Sequence, residues 1–169
     1  MGSSRRCWLL LSGLIILLVS LFAACGKPSG YVTYTDEDWG YAISYPYNWQ
    51  IELTEDAQIC VVKSPSGRAS VQVYVTEKPM IAQDAANRWL MALGTAHHEV
   101  TVFDNGPRDS FWDWYLSYDY ETDYGVFHGE AYFKQTSAHL YKVDTAADKN
   151  RYDFYPFETI ISTFKVFRK

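Results

Sequence analysis

Residues 110–122, SFWDWYLSYDYET, alternate large and polar side chains for most of their length. At a period of two, Trp112, Trp114, Leu116, Tyr118 and Tyr120 share one face of a strand. Asp113, Tyr115, Ser117, Asp119 and Glu121 share the other. Five large side chains on one face need a covering layer, most economically a helix. The opposite face is an acidic stripe with one tyrosine, open to solvent, to a basic partner or to a divalent cation. This strand therefore asks for a sheet with at least one helix laid on it.

Similar β patterns fill most of the chain. In GYAISYPYNWQIE, residues 40–52, Tyr41, Ile43 and Tyr45 point one way and Ala42 and Ser44 the other. Pro46 ends the strand because it lacks an N–H for the ladder. PYNW is a turn, Trp49 plugs the corner, and a second strand starts there. AQICVVKSP and ASVQVYVTE flank the turn signal SPSGR and read as a hairpin. HEVTVFD precedes the aromatic strand, and HGEAYFKQT and AHLYKVDTAA follow it, turning at Thr136–Ser137.

The period changes twice. In PMIAQDAANRWLMALG, residues 79–94, Ile81, Ala85, Trp89 and Leu93 recur every four residues, joined by Ala82, Ala86 and Leu90. This predicts a helix with Gly94 as its C-cap. NRYDFYPFETIISTFKVF predicts a closing helix with Pro156 in its first turn and Ile160, Ile161 and Phe164 turned inward. The expected class is α+β: an antiparallel sheet with helices packed on its faces.

The N-terminus carries an address. Arg5-Arg6 precede WLLLSGLIILLVSLFAA, residues 8–24, which hold no charge, and Cys25 follows. A basic start, an apolar core and small residues before the cut make a secretory signal. LFAAC resembles the bacterial lipobox, in which the cysteine becomes the first mature residue and carries lipid. An uncleaved anchor is the alternative, since seventeen apolar residues approach the length needed to span a bilayer. Either way the domain is expected outside the cytoplasm, held to the cell membrane by its N-terminus. The expected organisation is a signal over residues 1–24, a flexible tether over 25–35 and one domain over 36–169.

Without the two arginines of the signal, 13 basic residues face 20 acidic ones, a formal charge of −7. Nucleic acid is excluded as a partner, because phosphate binding needs a basic stripe. With Cys7 in the signal and Cys25 acylated, Cys60 has no cysteine to pair with. Flanked by β-branched residues, it reads as a small buried hydrophobe.

Candidate chemistry is sparse. His97, His98 and Glu99 are consecutive, and two adjacent histidines diverge on any regular element. His128 and Glu130 stand two apart on a strand, so they share a face and could seat a divalent metal with a third ligand from Asp119 or Glu121. No HExxH, CxxC, GxSxG or glycine-rich phosphate loop occurs. No catalytic residue is assigned and no cofactor is expected beyond that metal.

GYAISYPYNW resembles the opening motif G-Y-x-[IF]-x-Y-P-x-x-W of PsbP-like domains, and FETIISTFKVF resembles their closing pattern, with Thr163 in the small position before Phe164. The resemblance covers residues 31–169 and includes the order of elements between. It implies an α/β/α sandwich around an antiparallel sheet. Family members in plants and cyanobacteria are extrinsic photosystem II subunits that help retain calcium and chloride. Cyanobacterial members are often lipoproteins, in keeping with Cys25, and other bacteria carry similar lipoproteins. A related fold serves a nuclear-transport regulator as a protein-binding platform. The resemblance implies binding without catalysis, and the chain is expected to be an accessory module for an envelope protein complex; its acidic strand face, Asp113, Tyr115, Asp119 and Glu121, is the expected contact surface. The alternative is a binder of a small ligand or divalent metal ion, using an aromatic cleft or the His128 and Glu130 face.

Overall fold

The computed structural model describes residues 29–54, 58–77 and 79–167. The signal segment and Cys25 lie outside the described residues. Two antiparallel sheets form the body. The smaller has the order β1-β2-β10, with β1 Tyr31–Asp36, β2 Tyr41–Pro46 and β10 Lys165–Val166. The larger has seven strands in the order β3-β4-β5-β9-β8-β7-β6. These are β3 Gln50–Leu53, β4 Ile59–Lys63, β5 Ala69–Thr76, β6 Val100–Gly106, β7 Trp114–Thr122, β8 Gly125–Gln135 and β9 Leu140–Asp148. Among the described residues, no helix is long and apolar enough to cross a membrane.

Residues 31–35, expected as tether, belong to β1, which pairs along its whole length with β2. Thr33 and Ser44 add a hydroxyl bridge of 2.8 Å between the two strands. The corner after Pro46 carries the chain from the small sheet into the large one. Trp49 is buried there, edge-on to Tyr155 and Phe157. Tyr41, Ile43 and Tyr45 are buried as their alternation requires. The opening and closing motifs meet directly. The Ser44 N–H donates to Thr163 Oγ1 at 2.9 Å, and that hydroxyl donates to the Ile160 carbonyl at 2.6 Å, with the Ser44 carbonyl 3.2 Å away.

One face of the large sheet is covered by α1, Ala82–Ala96. Ala82, Ala85, Ala86 and Leu93 are buried against Leu116, Tyr118, Ala131 and Phe133, with Trp89 and Leu90 at the margin. Gly94 falls inside this helix rather than capping it, and Ile81 is its exposed N-cap. Gln135 Oε1 accepts the Ala82 N–H at 3.3 Å, tying the first turn to β8.

The opposite face is covered by the small sheet and the C-terminal segment. The single closing helix of the sequence reading is two pieces: a 3-10 turn, Lys149–Phe154, and α2, Phe157–Ser162. Pro156 divides them, because the residue before a proline is driven to extended backbone and Tyr155 adopts φ −97°, ψ 146°. Ile160, Ile161 and Phe164 are buried as expected.

Candidate functional site

The acidic stripe of β7 is open only at its two ends, Asp113 and Glu121. Tyr115, Ser117 and Asp119 are buried, covered from the side of the 3-10 turn and α2. The reason is architectural: the sheet is sandwiched, so a polar face of a central strand also needs partners. Trp112 likewise leaves the helix-facing set. It precedes β7, where strand alternation does not apply, and stacks on Phe164 in the other core.

The stripe's polar groups satisfy one another. Tyr115 and Tyr132 hydroxyls each donate to Glu130, one to each carboxylate oxygen, at 2.7 Å. Burial, reinforced by Glu130, raises both phenols well above their ordinary range, so they remain donors. The Arg108 guanidinium lies 4.3 Å from the centre of the Tyr115 ring. Asp119 faces His128 across the β7–β8 pair, with Nδ1 at 2.8 Å, and receives Lys149 Nζ at 2.6 Å. Burial opposes ionisation of Asp119, but Lys149 and His128 outweigh it and hold its carboxyl below the ordinary value.

His128 and Glu130 do share a face, and the register does bring Asp119 to His128. Yet the histidine nitrogen turns to Asp119 and the glutamate to two tyrosines. Among the described residues, no group of three or more His, Cys, Asp or Glu side chains is arranged to hold a metal ion. Asp113 is exposed, accepting the Gln135 N–H at 2.7 Å and Lys134 Nζ at 3.2 Å. Glu121 is exposed at the far end of the strand. His97 packs against the Tyr120 ring at 4.5 Å, while His98 and Glu99 stay exposed.

A second polar network lies beneath α1, where sequence reasoning had assigned only apolar packing. Tyr118 donates to Asp144 Oδ1 at 2.6 Å and accepts from Trp89 Nε1 at 3.1 Å. Lys142, two residues before Asp144 on β9, puts its ammonium 2.8 Å from the Trp89 ring centre and 3.8 Å from that of Tyr74. Aromatic faces attract such a cation. Burial still pulls the Lys142 pKa down to about 7 and pushes that of Asp144 up. Gly129 makes room for this arrangement: a Cβ there would meet the Tyr118 ring at 2.8 Å. The available signals were a Lys and an Asp two apart in an otherwise apolar strand and a glycine inside another. Cys60 is fully buried and its thiol is pushed up to about 11 by that burial, so it is inert packing.

The architecture has solved counterparts. The solution structure of cyanobacterial PsbP (CyanoP) from Synechocystis sp. PCC 6803 superposes with a TM-score of 0.66 over 87% of this chain and 99% of that one, at 20% identity. The chain has a PsbP-like fold. No protein-family model matches the sequence, and no curated protein matches it significantly. A crystal structure from Bacteroides thetaiotaomicron superposes with a TM-score of 0.55 at 11% identity. That match covers 81% of this chain but 48% of the other, so the PsbP-like unit corresponds to part of a longer protein there.

With the polar stripe engaged internally, the PsbP-like scaffold keeps a different face open. β6 ends the seven-stranded sheet and is exposed along most of its length. Its register shifts between Val102 and Asp104, a bulge that turns Phe103 outward. Phe103 is 58% exposed and Val126 43%. A shallow hollow beside them is lined by Glu99, Thr101, Asp119, Tyr120, Glu121, Val126 and Lys149.

Proposed function

We propose that this chain is a membrane-anchored extracytoplasmic lipoprotein whose PsbP-like α/β/α sandwich is a non-catalytic accessory module for an envelope protein complex. The address rests on residues 1–25 alone: two arginines, a charge-free run and LFAAC. Several acyl groups on Cys25 would anchor the domain firmly, since one chain gives marginal binding.

The observation that carries the binding reading is the open end of the large sheet. An edge strand presents backbone hydrogen-bonding groups to a further strand. Here β6 carries Phe103 and Asp104, while Glu99, Glu121 on β7 and Val126 on β8 line the hollow beside it. Apolar anchors among Glu99, Asp104 and Glu121, with Lys149 near Phe103 but tied to Asp119, suit a partner segment with apolar and basic side chains. Of the residues first assigned to the contact surface, Glu121 belongs to this patch and Asp119 lines its hollow while bonded to His128 and Lys149, whereas Tyr115 is engaged inside the domain.

Cross-linking in intact native cells, followed by affinity capture of the full chain from membranes, tests the reading. One dominant partner is expected, and Phe103→Glu with Glu121→Lys should remove it while the chain stays folded and membrane-bound. Unchanged capture would overturn the assigned surface. Cys25→Ser should abolish incorporation of a labelled fatty acid; persistent labelling would overturn the lipid site.

A further inference from the structure

At the opposite end of β8 from Val126, a cleft of about 390 Å³ opens between the two sheets. Four stretches of chain converge on it: Trp39 and Gly40 before β2, Phe111 before β7, the β8–β9 turn, and Val166 and Phe167 at β10. Its volume lies within the roughly 300–1,000 Å³ usual for small-molecule sites.

The walls are aromatic and held in position. Trp39 donates its backbone N–H to Asp36 Oδ1 at 2.9 Å, and its carbonyl accepts the Tyr141 hydroxyl at 2.8 Å. Phe111 is fixed by Asp109, whose carboxylate accepts the backbone N–H of Phe111 at 2.7 Å and of Trp112 at 2.8 Å. The Phe167 N–H donates to the Gly40 carbonyl at 2.9 Å. Gly40 has φ +68°, and a Cβ there would press on the Phe167 carbonyl oxygen at 3.0 Å. A glycine is needed where these two strands approach.

The lining of the cleft differs in make-up from the acidic chain as a whole. The protein has 20 acidic and 15 basic residues. Yet none of the described lining residues is acidic, and Lys134 and His139 supply the basic groups. Lys134 Nζ stands 5.4 Å from the Phe111 ring centre, while also donating to Asp113. The His139 ring is set edge-on to Trp39 and Tyr141. Its Nδ1 is shielded from solvent without a hydrogen-bond partner, so that nitrogen is turned away from the open cleft.

Flat aromatic walls select a flat apolar body, and Lys134, whose partner Asp113 is exposed and outside the lining, favours negative charge. We propose that this cleft binds a small planar aromatic anion, its ring among Trp39, Phe111 and Tyr141 and its charged group toward Lys134 and His139. This gives the small-ligand alternative a definite site and chemistry. It is independent of the envelope-partner reading, whose surface lies at the other end of β8.

The test is calorimetric titration of the full chain in lipid nanodiscs with 2-naphthoate and indole-3-carboxylate, with 2-naphthamide as the uncharged counterpart. One saturable site per chain is expected, at least tenfold tighter for naphthoate than for the amide. Trp39→Ala should weaken naphthoate at least tenfold, and Lys134→Met should erase the preference for the carboxylate. Should Trp39→Ala shift the melting curve strongly, Phe167→Ala, at a residue 39% exposed, probes the same wall. Absence of saturable binding by both carboxylates, equal affinity for the amide, or unchanged affinity in the wall variants would each overturn the assignment. Phe103→Glu with Glu121→Lys should bind naphthoate like the parent, which separates this result from loss of a protein partner.

Discussion

The two faces of the β7–β8–β9 region solve the same problem in different ways. On the side of the 3-10 turn, Glu130 is bonded by two phenols, and Asp119 by His128 and Lys149. Each charge there meets donors. On the side of α1, Lys142 has rings around its ammonium, and Asp144 has a phenol as its near donor. The first face is held by charge-assisted hydrogen bonds and the second by ring faces and one neutral donor. The first therefore holds the Asp119 carboxyl below its ordinary value, while the second pushes that of Asp144 up and the Lys142 ammonium down.

The largest expected effect is steric. Gly129→Ala pushes a Cβ into the Tyr118 ring. Displacing that ring also breaks the Tyr118 to Asp144 bond, so a loss of about 3 kcal/mol in urea unfolding is expected. A loss within experimental error would mean that the α1 face is loosely packed.

Next comes Asp119→Asn, which keeps the shape but removes the charge held by Lys149 and His128. A cost of about 1–2 kcal/mol at pH 7 is expected. Because the folded carboxyl sits below its ordinary value of 3.8, its contribution is present above that pH and lost as pH falls through the folded value. The variant should accordingly show a flatter acid limb in unfolding midpoints measured between pH 5 and 2.5.

Lys142→Met addresses the other face. The folded lysine releases its proton near 7, against an ordinary 10.5. Between those values the unfolded chain holds the extra proton, so stability should rise with pH across that window. Methionine at 142 should stay within about 1 kcal/mol of the parent at pH 7, since an apolar group often replaces a buried charge without loss. It should also cancel the gain between pH 7 and 9.5. A gain of equal size in the variant would mean that another group is responsible. The smallest effect belongs to Asp113→Asn: an exposed pair with Lys134 should contribute less than about 0.5 kcal/mol.

These contrasts also mark what the sequence could disclose. Alternation in GYAISYP and helical spacing in 79–94 translated almost directly into buried faces, because a single core lay on one side of each. The opening and closing motifs led to the fold, and the contact between Ser44 and Thr163 gives a physical reason for a small hydroxyl residue before Phe164. The acidic stripe misled for the opposite reason. A polar face on a central strand of a sandwich is buried too, and alternation does not distinguish solvent from internal partners. β1 escaped notice because YVTYTD has no clean alternation: Val32, Thr33 and Thr35 are exposed, and Tyr31 and Tyr34 are half-buried. Lys142 and Asp144 escaped because their partners come from β5, β7 and α1, which one strand's sequence does not reveal. The cleft escaped because four distant segments build it.

The two edges of the large sheet offer the most direct test of the binding claim. β6 carries Phe103 at one edge, and β3 carries Leu53, 48% exposed, at the other. A photo-activated cross-linking amino acid is placed at 103 or at 53 in the full chain, in native cells. The expected result is one defined adduct with an envelope protein from position 103 and none from position 53. Equal labelling from both positions, or none from 103, would contradict the assignment of β6 as the contact edge.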